Sequence, residues 1–165
     1  SIGTTTAGTM TFDGVDDTLN IVLASLVSSD FTVIGVSGKV AGSNGRLISA
    51  RSNNFLLGHH GTGSRKYYSE GWVASSYSDS SNDVHIYCGT GDISGDVYSF
   101  REDNVNYTQT ASGGSQGPNG FALGSFQNGS EYGTGTITVL LVYNRVLTDA
   151  EIDQNFNAQK NRFGV

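Results

Sequence analysis

The sequence has little cysteine and little positive charge, and each shortage excludes a class of protein. Cys88 is the single cysteine of 165 residues, which excludes an internal disulfide framework and most cysteine-built metal sites. The formal net charge is −6, which argues against a nucleic-acid partner because such a partner needs a basic face. No apolar run reaches about 18 residues, so we expect no membrane insertion.

Proline is also scarce, with one residue, whereas glycine is abundant, with 23. Glycine without proline is not a linker composition, and here it separates many short apolar segments. Segments of this length divided by Gly, Asn, Asp and Ser are typical of an all-β sandwich or barrel. The predicted strands are residues 10–12, 19–23, 31–36, 46–50, 55–57, 71–74, 84–88, 97–100 and 121–124.

The last third of the chain predicts a strand followed by a helix. Residues 139–143 contain no interrupting polar residue, which favours a strand buried on both faces. Thr148 and Glu151 are spaced as a capping box, and Leu147 and Ile152 as a hydrophobic staple. We therefore expect one short C-terminal helix.

Two local patterns predict finer detail. Asn44 and Gly45 suit a type I′ turn, so a hairpin is expected between the strands at 31–36 and 46–50. Cys88 alternates with Ile86 on one strand face, which predicts a buried, unreactive thiol, while His85 faces solvent or the opposite sheet.

Three stretches together are similar to a known family: residues 12–17 (Phe-Asp-Gly-Val-Asp-Asp), 121–124 (Phe-Ala-Leu-Gly) and 142–152 (Val-Tyr-Asn-Arg-Val-Leu-Thr-Asp-Ala-Glu-Ile). They resemble the laminin-G-like branch of the concanavalin A-like lectin/glucanase fold. The resemblance implies an all-β, two-sheet antiparallel jelly-roll sandwich over residues 10–165, with one short C-terminal helix and adjacent chain ends. Residues 1–9 would form an N-terminal arm or linker, and the start at Ser1 suggests a processed or excised chain. The C-terminal residues also resemble domain endings in tailed-phage structural proteins and in bacterial surface proteins.

Glycanases of this fold use a Glu-x-Asp-x-x-Glu strand motif, whose carboxylates act as nucleophile and acid. Here Glu151 and Asp153 are the one Glu-x-Asp pair, they lie on the predicted helix, and Phe156 takes the third position. No nucleophile elbow accompanies the three histidines. We therefore predict that the chain is not an enzyme.

Calcium is the one candidate cofactor, because lectins and laminin-G-like domains of this fold often carry it. Asp13 and Asp17, with Asp16 between them, offer hard oxygen ligands in a glycine turn. The favoured alternative is that Asp13 and Asp17 only accept backbone hydrogen bonds in the turn.

Candidate ligand contacts concentrate in a predicted loop from His59 to Trp72, where aromatic faces and hydrogen-bond donors occur together. The same residue types also build protein interfaces or pack beneath loops, and the sequence leaves these alternatives open. The candidates are His60, Arg65, Lys66, Tyr67, Tyr68 and Trp72, with Tyr107 and Tyr132 from other loops.

These features predict a module for binding or assembly. The first hypothesis is a phage virion structural protein, such as a capsid decoration, fibre or tail domain, that contacts host glycans. The alternative is a carbohydrate-binding module excised from a larger secreted or surface bacterial protein. Expected partners are other virion or surface proteins or a glycan, in a homo-oligomer located on a virion, a cell surface or outside the cell.

Overall fold

The computed structural model describes residues 5–6, 8–23, 29–40, 42–61, 63–75, 83–109, 114, 117–127 and 129–163, with the side chains of residues 5–6, 64 and 106–109 left out. Over these residues the chain forms two antiparallel sheets and one C-terminal helix, which confirms the predicted all-β sandwich. No helix in this described part has the length and apolar character needed to cross a bilayer.

Elements are numbered in chain order. The seven-stranded sheet runs β1 (Thr5–Thr6), β2 (Thr9–Asp13), β13 (Thr134–Tyr143), β4 (Phe31–Lys39), β9 (Val84–Asp92), β10 (Val97–Glu102) and β11 (Val105–Gln109). The six-stranded sheet runs β3 (Leu19–Ile21), β12 (Phe121–Leu123), β5 (Arg46–Ala50), β6 (Phe55–His60), β7 (Gly63–Ser69) and β8 (Trp72–Ala74). The helix α1 is Asp149–Phe163. The N-terminal β2 pairs with β13, so strands from the two ends of the chain are neighbours, as the resemblance implied.

The main core lies between the two sheets because strand side chains alternate and the apolar set of each sheet faces inward. Phe55 is its centre: its ring meets Phe31, Tyr67 and Phe121 edge-on, at centroid distances of 6.0, 5.7 and 6.0 Å. All four rings are at most 1% exposed, so aromatic packing joins the two layers.

A second apolar cluster covers the other face of the seven-stranded sheet. Ile34 and Ile86 from that sheet pack with Leu147 and Ile152, and all four are buried. The capping box is confirmed, because the Thr148 N–H donates to Glu151 Oε2 at 2.9 Å and the Glu151 N–H donates to Thr148 Oγ1 at 3.4 Å. The same cluster contains Cys88, which is 4% exposed, and burial raises the pKa of its thiol to about 12. The predicted buried thiol is confirmed.

The predicted hairpin at Asn44 and Gly45 is wrong, because β4 and β5 belong to different sheets. Gly45 has a φ of +100° and lies against the main chain of Tyr132, where an added Cβ would be 2.2 Å from the carbonyl oxygen. The positive φ is therefore used where the chain crosses from one sheet to the other. A second Asn-Gly pair, Asn128 and Gly129, also suits a turn by sequence, but Asn128 lies outside the described residues.

Three further predictions need correction. The predicted loop between His59 and Trp72 contains strand β7, and Tyr107 lies on strand β11 rather than in a loop. The run Val139–Tyr143 is partly exposed along its whole length, not buried on both faces. Its side chains alternate between the main core and the α1 side, but β2 pairs with β13 only over Thr134–Ile137 among the described residues. The second half of β13 therefore lies closer to solvent than its composition suggests.

Candidate functional site

The outer face of the six-stranded sheet is divided into a covered middle and an open end. Strand register places Ser49, Leu56, Tyr68 and Trp72 side by side across β5, β6, β7 and β8. Ser49 and Leu56 are at most 1% exposed, Tyr68 is partly exposed and Trp72 is 43% exposed. The face therefore opens to solvent towards β7 and β8.

The covered middle lies beneath the segment that follows β12. Ser49 Oγ donates to the carbonyl oxygens of Ala122 at 3.2 Å and Ser125 at 2.5 Å, which holds this segment on the sheet. The Arg46 guanidinium lies 4.0 Å from the ring centroid of Phe126, a cation–π distance. This part of the face is closed by its own chain.

At the open end, four side chains form what we call the β6–β8 patch: His60, Lys66, Tyr68 and Trp72. The Trp72 ring meets Tyr68 nearly perpendicularly at 5.1 Å and His60 at a tilt of 46° and 5.9 Å. The Lys66 ammonium lies 5.9 Å from the Trp72 ring centroid and donates to the His60 carbonyl oxygen at 3.2 Å. Neighbouring rings therefore hold the Trp72 side chain while part of it remains exposed.

A charged group adjoins the patch. Glu131 Oε2 lies 2.6 Å from Arg46 Nε and 3.3 Å from His60 Nε2. Burial lowers the pKa of His60, and the nearby Arg46 lowers it further, although Glu131 acts in the opposite direction. His60 is therefore mainly neutral at pH 7, with one ring nitrogen able to donate and the other to accept.

The structure brings only part of the predicted ligand set together. His60, Tyr68 and Trp72 share the patch with Lys66, and the partly exposed Tyr132 follows Glu131 and bridges by its main chain to Arg46. Tyr67 is fully buried in the main core, so its ring is not available to a ligand.

Arg65 and Tyr107 lie elsewhere. Arg65 faces β10, where its Nε lies 2.6 Å from the Glu102 carboxylate. Tyr107 lies on β11, which pairs with β10 at the edge of the seven-stranded sheet, and its side chain is outside the described residues.

Sequence reasoning missed Arg46 and Glu131, which join the patch from positions 85 residues apart. Glu131 has the left-handed φ of +46°, but nothing in its sequence surroundings distinguishes it from an isolated loop glutamate. Only the strand order, which brings the segment after β12 next to β5, puts these two side chains in contact.

Arg65 belongs to a cluster at the rim between the sheets. Glu102 is 1% exposed, and this burial raises the pKa of its carboxyl, opposed by the hydrogen bond and charge of Arg65. His85 Nδ1 lies 2.7 Å from Asp103 Oδ2, and the Ile86 N–H donates to Asp103 Oδ1 at 2.9 Å. His85 lies on the side of β9 that faces the six-stranded sheet, one of the two orientations predicted for it. Arg65 on β7 and Glu102 on β10 therefore form an ion pair between the two sheets, and ligand atoms of His85, Glu102 and Asp103 lie within 4.8 Å of one another beside it.

The aspartates of the first turn are arranged as the backbone alternative predicted. The Asp13 N–H donates to Asp17 Oδ2 at 3.2 Å, and the Val15 N–H donates to Asp13 Oδ1 at 2.8 Å. Carboxylate oxygens of Asp13, Asp16 and Asp17 nevertheless lie within 4.8 Å of one another. Calcium binding at this turn stays a prediction, which melting with and without excess EDTA would test.

Comparison with known proteins shows the fold. No protein-family model and no curated protein sequence matches the chain. Trypanosoma rangeli sialidase in complex with sialic acid matches at a TM-score of 0.70 and 16% identity, over 97% of this chain and 29% of that chain. The receptor binding domain of botulinum neurotoxin C/D mosaic serotype matches at 0.71 and 8% identity, over 96% and 44%. The binding domain of Paraclostridial Mosquitocidal Protein 1 matches at 0.62 and 11%, over 93% and 44%.

The sialidase matches contradict the prediction that the chain is not an enzyme, because solved enzymes share this fold over nearly all of its length. The chain spans less than a third of those sialidases and less than half of the toxin structures, so the activity of the whole proteins is not carried over. The link to tailed-phage proteins is not supported by these matches and stays a prediction. What these matches show for this chain is its fold, a two-sheet antiparallel β-sandwich with one C-terminal helix.

Proposed function

We propose that this chain is a carbohydrate-binding module and that the β6–β8 patch is its contact surface. The observation that carries the proposal is Trp72, whose large apolar ring is 43% exposed although two neighbouring rings fix its position. A side chain of this size is usually buried unless it serves an interface.

The chemistry of the patch suits a sugar ring. The C–H face of a pyranose is flat and apolar and packs on an indole, while its hydroxyl groups need donors and acceptors around the rim. Lys66 supplies donors, His60 supplies one donor and one acceptor, and the Glu131 carboxylate, 39% exposed, supplies an acceptor. The patch therefore combines a stacking surface with polar groups of both kinds.

The comparisons support a binding role as analogy only. Two of the matched structures are described as a binding domain and a receptor binding domain, and one sialidase is described in complex with sialic acid. A fold does not fix a function, so it is the geometry of the patch that supports carbohydrate binding by this chain.

We further propose that the module acts at a virion, cell surface or extracellular location, presented by a larger assembly. The C-terminal resemblance to phage structural proteins supports a virion protein that assembles with copies of itself. Light scattering of the purified chain tests this part: a stable oligomer supports it, and a monomer at all concentrations contradicts it.

The binding proposal is tested with a glycan array and the variant Trp72→Ala. We expect the wild type to bind a defined group of glycans and the variant to bind about tenfold more weakly, because an aromatic contact is worth up to ~1.5 kcal/mol. Val97→Ala is the matched control, since Val97 is an apolar residue of equal exposure (42%) on the other sheet. An array without any binding, or equal loss in both variants, contradicts the proposal.

A further inference from the structure

We infer that the sugar bound at the β6–β8 patch is anionic and that its acid group pairs with Lys66. The inference rests on the proposed function and names the class of glycan that the site takes.

The ionisable side chains in and beside the patch include His60, Lys66, Arg46 and Glu131, and the buried Lys39 donates to the carbonyl oxygen of Gly61, next to His60, at 3.2 Å. Arg46 and Glu131 form an ion pair at 2.6 Å whose charges sum to zero, with the Arg46 side chain 6% exposed and the Glu131 side chain 39% exposed. His60 is mainly neutral at pH 7 because burial lowers its pKa. Lys66 is the partly exposed cation of the patch itself.

Within the described part of the chain, the ammonium of Lys66 has no acidic side chain as its partner. Its hydrogen bond goes to a main-chain oxygen, that of His60, and among the described residues no carboxylate lies within ion-pair distance of it. An ammonium has three donors, so the bond to His60 leaves others for a ligand. The ammonium lies over the Trp72 ring, 5.9 Å from its centroid, a cation–π distance that puts it beside any group stacked on this side chain.

This cation is notable because the chain as a whole carries a net charge of −6. An anionic ligand is repelled by most of such a surface and gains from contact where a positive charge stands without a carboxylate partner. A ring stacked on Trp72 brings a carboxylate or sulfate substituent towards Lys66, whereas a neutral sugar would leave that charge unmatched.

The test is an array in which each neutral oligosaccharide is paired with its carboxylated and its sulfated counterpart. We expect the acidic members to bind about fivefold more tightly, the value of an exposed ion pair worth about 1 kcal/mol, with the preference decreasing as salt is raised. The carboxylated and sulfated arms show which acid group the site prefers.

Variants separate the charge from the fold. Lys66→Gln should abolish the preference for acidic over neutral glycans, and Lys66→Arg should retain it. Lys160→Gln is the matched control, because Lys160 also lies near an aromatic ring, 5.7 Å from the Phe156 centroid, but on α1. Melting temperatures of all variants should agree closely with that of the wild type.

The outcomes distinguish the two proposals. Equal binding of neutral and acidic glycans, or a preference that Lys66→Gln leaves intact, overturns the inference and leaves the carbohydrate-binding proposal standing. An array on which no glycan binds contradicts the carbohydrate-binding proposal, and the inference fails with it.

Discussion

The outer faces of the two sheets differ in what covers them. On the seven-stranded sheet, Ile34, Ile86 and Cys88 lie beneath α1 and are at most 4% exposed. On the six-stranded sheet, the segment after β12 covers the middle and leaves Trp72 43% exposed at the open end. The apolar side chains of the helix-covered face are buried against α1, so this face needs no further partner to be shielded from water.

The charged groups show the same contrast. Arg101 reaches from the seven-stranded sheet to Asp149 on α1, at 2.5 Å, so a cation on this face is paired with the helix that covers it. Lys66 on the other face donates to a carbonyl oxygen of its own sheet, that of His60, and the described residues place no carboxylate beside it. The helix-covered face therefore contributes to the stability of the fold, whereas the open end of the other face carries an aromatic ring and a cation that remain partly exposed after folding.

The largest expected effect comes from opening the covered face. Ile152→Ala should lower the free energy of unfolding by about 3 kcal/mol, because a buried isoleucine loses its contacts and leaves a cavity. Urea denaturation measures this, with Val146→Ala, 38% exposed, as the control that should change little. Glycan binding by the folded fraction should be unchanged, and a loss of binding would contradict separate roles for the two faces.

Arg65 provides the next test, because the sequence assigned it to the ligand surface and the structure places it in the inter-sheet ion pair. Arg65→Ala leaves the Glu102 carboxylate buried without the arginine, so we expect the free energy of unfolding, measured by urea denaturation, to fall by about 2 kcal/mol. This is less than the effect of breaking a fully buried pair, because Arg65 is 31% exposed and solvent weakens the interaction.

Arg51→Ala, an exposed arginine at the end of β5, serves as the control for Arg65→Ala. If Arg65→Ala weakens glycan binding with no change in stability, Arg65 belongs to the ligand site after all.

The smallest effect is expected at the helix cap. The hydrogen bond from Arg145 and those from Thr148 lower the pKa of Glu151 to about 2. Because the folded-state pKa lies below the ordinary glutamate value of 4.5, this carboxylate stabilises the fold above about pH 4.5, and the contribution is lost as pH falls towards 2.

Melting curves of the wild type and Glu151→Gln between pH 2 and about 6 measure this contribution of the cap. The two proteins should converge at the acid end, and a difference that stays constant with pH would contradict the assigned hydrogen bonds.

Local sequence rules correctly predicted features that are set by residues close together in the chain. The capping box of Thr148 and Glu151 and the burial of Cys88 need only spacing and alternation, and both are confirmed. Strand β7 was missed because its glycine start and polar outward residues resemble a loop, and Arg65 at a φ of +58° interrupts the alternation that would have revealed it.

The candidate site depends on distant pairing, which the sequence does not show. Tyr67 and Tyr68 are chemically alike and adjacent, yet strand geometry sends one ring into the core and the other to the patch. To predict which of two neighbouring residues faces outward, one needs the register of β7 against β6. To predict the ion pair between Arg46 and Glu131, one needs the order of the strands in the sheet. The residue types of the site could therefore be predicted from the sequence, but which individual residues form it could not.

Trp72 is the single tryptophan of the chain, so intrinsic tryptophan fluorescence reports on the patch alone. The most direct measurement is a fluorescence titration with a glycan that binds on the array, alongside calorimetry of the same mixture. We predict that Trp72 emission changes and saturates at the dissociation constant found by calorimetry. Calorimetric binding with no change in Trp72 emission would place the ligand elsewhere and contradict the assignment of the patch.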